Sequence, residues 1–248
     1  MALFSSRIFI AALTLPLLFA AVTSNAAVPD YNDNGYSNNV TIHDPAESIN
    51  RHIYSFNTGL DKVVLKPVAH GYQAVVPTWG RDRVTSFFKN LTEPVTFVNS
   101  ILQGDSQNAF HSFWRFTINS TLGIGGFGDI SHLAGLDEKP KDFGQTLGVY
   151  GASPGPYIEL PIIGPSSGRD TIGRVVDVFT DPFTYFMTYP EAAGYYTVDL
   201  ISTRSDSLSF TDKIERTSLD PYATYRSLYI QYRQNAIHDG IVSSPFIR

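Results

Sequence analysis

Cysteine is absent from the 248-residue chain. This absence excludes disulfide bonds, thiolate metal sites and cysteine nucleophiles. It also removes the residue to which the lipid of a bacterial lipoprotein is attached. If the protein is bound to a membrane, its own side chains must hold it there.

Charged residues are also scarce, at 17% of the chain against about 25% in ordinary soluble proteins. The net charge of −5 offers no broadly basic surface, so we predict no nucleic-acid partner. Beyond the amino-terminal segment, the longest charge-free stretch is 143–158, which is interrupted by glycines and prolines and cannot span a bilayer as a helix. Because aromatic residues reach 13%, we expect either a large aromatic core or a position in a membrane interface.

The amino-terminal residues resemble an export signal. Arg7 precedes an apolar run over 8–21, and Ser24, Asn25 and Ala26 end in a small residue, as signal-peptidase sites do. We predict that 1–26 is a cleaved signal peptide, with a retained anchor as the alternative. The domain organisation that follows is a polar leader at 27–43, a folded domain at 44–235 and a short tail at 236–248.

Amphipathic helices are predicted through most of the folded domain. Asp44 is the expected cap of a first helix, and the spacing of Ile49, Ile53 and Phe56 places them on one face. Pro67 and Pro77 mark the ends of a predicted short second helix. A basic helix from Thr78 to Leu91 has the pattern of a helix lying along lipid headgroups, with an ordinary surface helix as the alternative; its predicted membrane-interface residues are Trp79, Arg81, Arg83, Phe87, Phe88 and Lys89.

Later helices are expected to start at Glu93-Pro94, Asp105, Arg169, Glu191 and Asp220-Pro221. Between Gly123 and Gly168 the chain is rich in loop-forming residues, and only 157–163 has the character of a strand. In the last helix, four tyrosines follow one edge, which suits a boundary between an apolar and an aqueous phase; they are Tyr222, Tyr225, Tyr229 and Tyr232.

Two short motifs raise the question of catalysis. Gly123, Gly125 and Gly128 spell a dinucleotide-binding pattern, but a predicted helix precedes it where a strand is required. Ser166 lies in a G-x-S-x-G pattern and could be a hydrolase nucleophile, with His238 and one of Asp177, Asp181 and Asp199 as partners. Since no parallel strands are predicted before it, a glycine-proline turn is the preferred interpretation. The histidines are scattered without metal-ligand spacing, so we predict no metal and no cofactor.

A longer series of motifs resembles the MlaA (VacJ) family. Its members share a series of short motifs in a fixed order, and in this chain the series extends from roughly Asp44 to Arg233. The motifs include Asp44-Pro45, Asn50-Arg51, Phe56-Asn57, Asn90-Leu91-Thr92-Glu93-Pro94, Leu102-Gln103-Gly104-Asp105, Asn119-Ser120-Thr121-Leu122-Gly123, Phe143-Gly144-Gln145-Thr146-Leu147-Gly148, Gly155-Pro156-Tyr157 and Asp220-Pro221-Tyr222.

The resemblance implies an all-α fold, in which a ring of amphipathic helices lies in the membrane interface around a central pore, with one short extended segment. It implies no enzymatic activity but transport of misplaced phospholipid out of the outer leaflet of the outer membrane, with a porin trimer and a periplasmic lipid carrier as partners. Members commonly begin with a lipidated cysteine, which this chain lacks. A periplasmic structural or adhesion-type module and a serine hydrolase using Ser166 remain the alternatives.

The resemblance also implies sites. Phe56 and Asn57 match the segment that shapes the family's pore, and 143–157 matches its mobile loop. Residues expected to line the lipid pore are Ile49, Ile53, Phe56, Asn57, Phe110, Phe113, Phe127, Tyr150 and Tyr157. Residues expected to let the loop gate the pore are Phe143, Gly144, Gly148, Gly151 and Gly155.

Overall fold

A computed structural model describes residues 42–238. The predicted signal peptide, most of the leader and residues 239–248 of the tail therefore lie outside the described residues. Helices dominate the described part, as expected. Their bounds are Glu47–Leu60 (α1), Lys66–Val75 (α2), Thr78–Leu102 (α3), Ser106–Thr121 (α4), Phe143–Val149 (α5), Gly168–Thr180 (α6), Tyr189–Thr217 (α7) and Pro221–Ile237 (α8).

Short segments complete the fold. A π-helical segment at Asp61–Leu65 joins α1 to α2 without a break, and 3₁₀ turns occupy Ser131–Ala134 and Pro182–Tyr185. Strands β1 (Tyr157–Leu160) and β2 (Gly164–Ser167) form an antiparallel hairpin in which Tyr157 pairs with Ser167 and Leu160 with Gly164. The prediction of one extended segment at 157–163 is thus right for β1 and missed β2.

Side-chain caps fix the starts of several helices. Asp105, Asp142, Ser167 and Asp220 each accept a hydrogen bond from the backbone N–H three residues later, as N-cap residues do. The prediction that Asp44 caps the first helix is wrong. That helix starts at Glu47 without a side-chain cap, because the Asp44 carboxylate instead accepts hydrogen bonds from Tyr222 and Arg226 of α8.

Prolines interrupt the helices less than the sequence suggests. Pro94 lies inside the 25-residue α3, so no new helix starts there, and Pro67 lies in the first turn of α2 within one continuous helical run. A proline inside a helix loses one backbone hydrogen bond. Burial of Asn90, Glu93 and Thr96 beside Pro94 explains why α3 continues, since tertiary contacts outweigh local preference.

The tyrosines of α8 form a core and not a boundary. Tyr222 and Tyr229 are buried and pack edge-to-face against Tyr157 of the hairpin. Tyr232 is buried as well. The predicted position of this edge at an apolar and aqueous boundary is therefore wrong; the rings attach α8 to the hairpin and to α1. Among residues 42–238, no helix combines the length and apolarity needed to cross a membrane.

Candidate functional site

The distribution of polarity is inverted relative to a soluble domain. Most of the residues buried within the described part are polar or charged, and they include the following: Asn50, Asn90, Glu93, Asn99, Asn108, Arg115, Asn119, Gln145, Glu159, Arg169, Asp170 and Arg233. Large apolar side chains are exposed on most helices and on several of the segments between them; they include Ile49, Phe56, Val63, Val75, Trp79, Ile101, Phe110, Phe113, Trp114, Leu122, Ile124, Leu133, Phe186 and Tyr196. Apolar exposure on this scale marks a surface that contacts a membrane or a partner.

Arg233 is the centre of the first buried charge cluster. It is 5% exposed, and its guanidinium donates to Asp142 at 2.5 Å and to Asp170 at 2.9 Å. Asp170 also accepts hydrogen bonds from Tyr229 and Arg169. Burial alone would raise the pKa of Asp170, but Arg233 and Arg169 outweigh it and hold that pKa below its usual value. The cluster fastens α5, α6 and α8 together.

A second cluster surrounds Arg115 of α4. Its Nε lies 2.7 Å from Glu93 Oε1 of α3, and both side chains are 4% exposed. The same guanidinium donates to the Leu136 carbonyl at 2.8 Å and to Asp129 at 3.3 Å. Burial raises the pKa of Glu93 to about 7, against the opposing effect of Arg115. This cluster holds the 123–142 segment against the α3–α4 pair.

Phe56 and Asn57 face different surroundings, as their angular offset on α1 predicts. Asn57 Nδ2 donates to the Leu160 carbonyl at 2.9 Å, and its Oδ1 accepts from the Ile162 N–H at 2.8 Å. Ile162 has φ +69°, a conformation that β-branched residues rarely adopt. Phe56, by contrast, is 57% exposed. Asn57 therefore supports the hairpin turn, while Phe56 presents its ring outward.

The residues predicted to line the pore do not share one common surface in the structure. Ile49 and Phe56 lie exposed on α1, with Ile53 partly buried. Phe110 and Phe113 line an apolar cavity of about 380 Å³ beside α3, whereas Phe127 stacks on Phe87. Tyr150 is exposed and donates its hydroxyl to the Leu102 carbonyl, and Tyr157 is in the aromatic core. Tyr157 therefore does not line an open pore.

The predicted gating loop is partly a helix. Phe143, Gly144 and Gly148 belong to α5. A Cβ on Gly144 would lie 2.7 Å from Asp170 Oδ1, and one on Gly148 would lie 2.5 Å from Ile237 Cδ1. These two glycines permit close packing, so the expectation that they free the backbone is wrong. Gly151 and Gly155 have positive φ, and the part of the predicted loop that is neither helix nor strand is 150–156.

The basic helix exposes some of its predicted membrane-interface residues and buries others. Trp79 is 70% exposed at the start of α3. Phe88 is buried against Tyr195, so its predicted place in a membrane interface is wrong. Phe87 is partly covered by Phe127, and Lys89 forms an ion pair with Glu138. Arg83 is exposed, whereas Arg81 lines a polar cavity.

That polar cavity was not predicted from the sequence. It has a volume of about 410 Å³ and lies where α2, the start of α3 and the middle of α7 meet. Its lining residues are His70, Gln73, Thr78, Arg81, Asp82, Ser205, Asp206, Leu208, Ser209 and Asp212. The three lining segments are far apart in sequence, and no local motif marks them.

Ser166 does not have the geometry of a nucleophile. It lies in β2, is 0% exposed and shares a hydrogen bond with Thr171 Oγ1. No histidine within 42–238 hydrogen-bonds to it, and Ser166 lies within the second strand of an antiparallel hairpin, not at the sharp turn between strand and helix that a nucleophile elbow requires. The predicted turn lies just before this segment, at Ile162, and Gly164–Ser167 is a strand.

Replacing Ser166 by Ala should leave the function of the protein unchanged. Only one hydroxyl is lost, and Thr171 keeps its hydrogen bond to the Ser167 carbonyl, so we expect destabilisation of no more than about 1–2 kcal/mol. Complementation of detergent sensitivity, together with immunoblotting of the protein, measures both effects. Loss of function at normal abundance would support the hydrolase alternative.

Comparisons with known proteins agree with the sequence resemblance. The model of the MlaA lipoprotein family matches residues 42–236. The Escherichia coli protein named "Intermembrane phospholipid transport system lipoprotein MlaA" is 39% identical over 201 residues, which are 79% of each chain. Its Haemophilus influenzae namesake is 34% identical over 92% of each chain, and an uncharacterised Rickettsia bellii protein is 40% identical over 84% of this chain and 83% of its own.

A solved structure has the same architecture. It comes from work on the "Structural basis for maintenance of bacterial outer membrane lipid asymmetry" and is 36% identical in sequence, with a TM-score of 0.71. The match covers 78% of this chain and 98% of that chain. On the family match and on these relatives, the chain belongs to the MlaA lipoprotein family.

Proposed function

We propose that the protein transports phospholipid between the leaflets and compartments of the Gram-negative envelope and so maintains outer-membrane lipid asymmetry. The observation that carries this proposal is the inverted polarity, with charge clusters inside and large apolar side chains outside. The family membership and the names of its relatives support the same function.

The inverted polarity suits a protein that lies within one leaflet. Apolar side chains such as Phe110, Phe113 and Trp114 gain free energy when lipid chains cover them. The buried ion pairs hold the helices together where water cannot drive their association. We propose that the helices form a ring around an amphipathic pore, which would give a polar path to the headgroup and an apolar path to the chains.

The proposed place of action is the inner leaflet of the outer membrane, facing the periplasm. There the protein would bind beside a porin trimer and pass phospholipid to a periplasmic carrier. The exposed apolar face of α3 and α4, which includes Ile101, Leu102 and Phe110, offers a surface for the porin. Since the chain has no cysteine, its apolar exterior would replace a lipid anchor.

Purification in mild detergent distinguishes this function from a structural or adhesion-type module. We expect the tagged protein to bring phospholipid and a porin with it from solubilised envelopes. A variant with Ile101, Phe110 and Phe113 changed to Ser should no longer bind the porin. It should keep its fold, because these three side chains lie outside the polar clusters. Protein free of both phospholipid and porin would contradict the proposal.

The 150–156 segment is proposed to gate lipid entry. Gly155→Cys and Gly168→Cys would place two thiols close together, since a Cβ on Gly155 lies 3.9 Å from Gly168 Cα, and no native cysteine competes with them. We expect the oxidised protein to lose lipid transport and to regain it on reduction. Each single variant is the control, and equal transport in both redox states would make the segment a simple connector.

A further inference from the structure

We propose that Glu159 is a positioning residue for the pore-shaping segment of α1: its carboxyl group controls how firmly the hairpin holds Asn57, and its ionisation loosens that hold. This inference rests on the proposed transport function and adds to it a control by pH. Glu159 lies in β1 and is 2% exposed. It acts through Asn57 and not by contact with lipid.

Two asparagines of α1 hold the edge of β1. Asn50 accepts a hydrogen bond from the Glu159 N–H at 3.0 Å and donates one to the Tyr157 carbonyl at 3.1 Å. Asn57 binds the backbone of the hairpin turn in the same way, at 2.8 and 2.9 Å. The asparagines are two helical turns apart, about 10.5 Å, and the backbone groups that they bind are about 10 Å apart along a strand. The matching distances make these side chains a joint between α1 and the hairpin.

A buried carboxyl group without a cation lies at this joint. Glu159 Oε1 accepts a hydrogen bond from Asn57 Nδ2 at 3.3 Å, and Oε2 accepts one from the Tyr157 hydroxyl. Whereas the buried carboxylates of Glu93 and Asp170 pair with arginine, no Lys, Arg or His within 42–238 pairs with Glu159. A buried charge without a partner costs free energy, which water relieves if the hairpin moves away from α1. Ionisation of Glu159 therefore favours opening of the joint.

The surroundings of Glu159 do not supply the missing positive charge. The titratable groups around it and around Tyr157 are neutral or acidic: Asp44, Tyr54, Tyr157, Tyr222 and Tyr229. Strand β2 has no titratable side chain. The arginines of α1, α6 and α8 all bind other groups; they are Arg51, Arg169, Arg174, Arg226 and Arg233. Burial raises the pKa of Glu159 against the opposing effect of its two hydrogen bonds.

The direction of the pH effect follows from this raised pKa. When the hairpin is open, Glu159 is hydrated and ionises near its ordinary pKa of about 4.3; when the hairpin is docked, its pKa is higher. Opening therefore releases a proton at any pH between these two values. The joint is most stable at low pH and weakens as the pH rises through the pKa of the docked state. Since Asn57 then loses its hold on the hairpin, the position of Phe56 is less restrained.

Hydrogen exchange in the detergent-solubilised protein measures the joint directly. Protection factors of the amides in 157–163 are determined by mass spectrometry over a range of pH, with the intrinsic exchange rate divided out. In the unaltered protein we expect protection to fall by up to about tenfold per pH unit until the docked carboxyl is ionised. Glu159→Gln keeps an acceptor for Asn57 and has no charge, so it should keep the low-pH protection throughout.

Two further variants support the comparison. Tyr157→Phe removes a hydrogen bond from the ionised carboxylate and leaves the ring in the aromatic core, so protection at the upper end of the pH range should fall roughly tenfold below that of the unaltered protein. Asp137→Asn removes an exposed carboxylate and should keep the pH dependence of the unaltered protein. Protection that does not change with pH, or a Glu159→Gln protein that behaves as Asp137→Asn does, would overturn the role of Glu159.

Detergent sensitivity of cells distinguishes positioning from a merely structural role. Above neutral pH, cells that make Glu159→Gln should be more resistant than cells that make Asp137→Asn, and below it the two should be alike. Equal resistance at every pH would show that the joint does not position the pore-shaping segment, and would overturn the proposal. Cells that lack the protein and remain fully resistant would instead contradict the transport function, whatever the exchange measurements show.

Discussion

Replacing Arg233 by Ala should produce the largest loss of stability of any single substitution in the Arg233 cluster. The guanidinium neutralises Asp142 and Asp170 at once, and its removal would leave carboxylates buried without their principal partner. Breaking a buried ion pair from one side costs roughly 3–5 kcal/mol. We expect little protein in the envelope, and a much lower thermal unfolding midpoint in detergent for what can be purified.

Arg216→Ala is the matched control for this prediction. Its side chain is 80% exposed and lies 3.9 Å from Asp212, and exposed pairs of this kind contribute about 0–1 kcal/mol. Abundance and unfolding midpoint should therefore stay close to those of the unaltered protein. If Arg233→Ala were as abundant and as stable as Arg216→Ala, the cluster would not be the support of α5, α6 and α8 that we describe.

Phe56→Ala should give the second large effect, on lipid traffic and not on folding. A buried phenylalanine would cost about 3–5 kcal/mol on truncation, but the Phe56 ring is mostly exposed. We expect near-normal abundance and a dominant permeability defect, visible as detergent sensitivity in cells that also make the unaltered protein. The same dominant defect is expected for deletion of Phe56 and Asn57, because a pore that passes lipid the wrong way harms the membrane despite normal copies. The abundance of the deletion variant should be lower than that of Phe56→Ala, since the two Asn57 hydrogen bonds to the hairpin turn are lost.

Phe88→Ala is the control that distinguishes an altered pore from a destabilised fold. Phe88 is buried against Tyr195, so its truncation should make the protein scarce and the phenotype recessive. A scarce, recessive Phe56→Ala protein would count against a pore-shaping role for Phe56. The comparison uses abundance by immunoblot and detergent sensitivity in merodiploid cells.

Local sequence signals predicted the helices correctly where a contact between residues close in sequence determines the backbone conformation. Asp105 and Asp220 act as caps because a carboxylate can accept a hydrogen bond from a nearby N–H whatever the rest of the fold does. Asp44 has the same local pattern but pairs with Arg226, 182 residues away. The predicted helix start at Pro94 was wrong for a similar reason, because tertiary contacts of the residues on both sides of Pro94 keep α3 continuous.

The candidate sites were less predictable because they depend on which distant residues meet. Periodicity placed Ile49 and Phe56 on one face but could not show that this face is exposed. The tyrosine edge of α8 has the same pattern whether it lies at a membrane or in a core, and the partners that bury it are in α1 and the hairpin. Glycines that fit a flexible loop, such as Gly144, were needed for close helix packing instead.

Surface-accessible phospholipid is the most direct measure of the central claim. Intact cells with and without the protein are treated with a membrane-impermeant amine-reactive label, and labelled phosphatidylethanolamine is quantified after lipid extraction. We expect more labelled lipid in cells that lack the protein and a return to the normal amount when it is restored. An amount that does not change on removal of the protein would contradict its role in keeping phospholipid out of the outer leaflet.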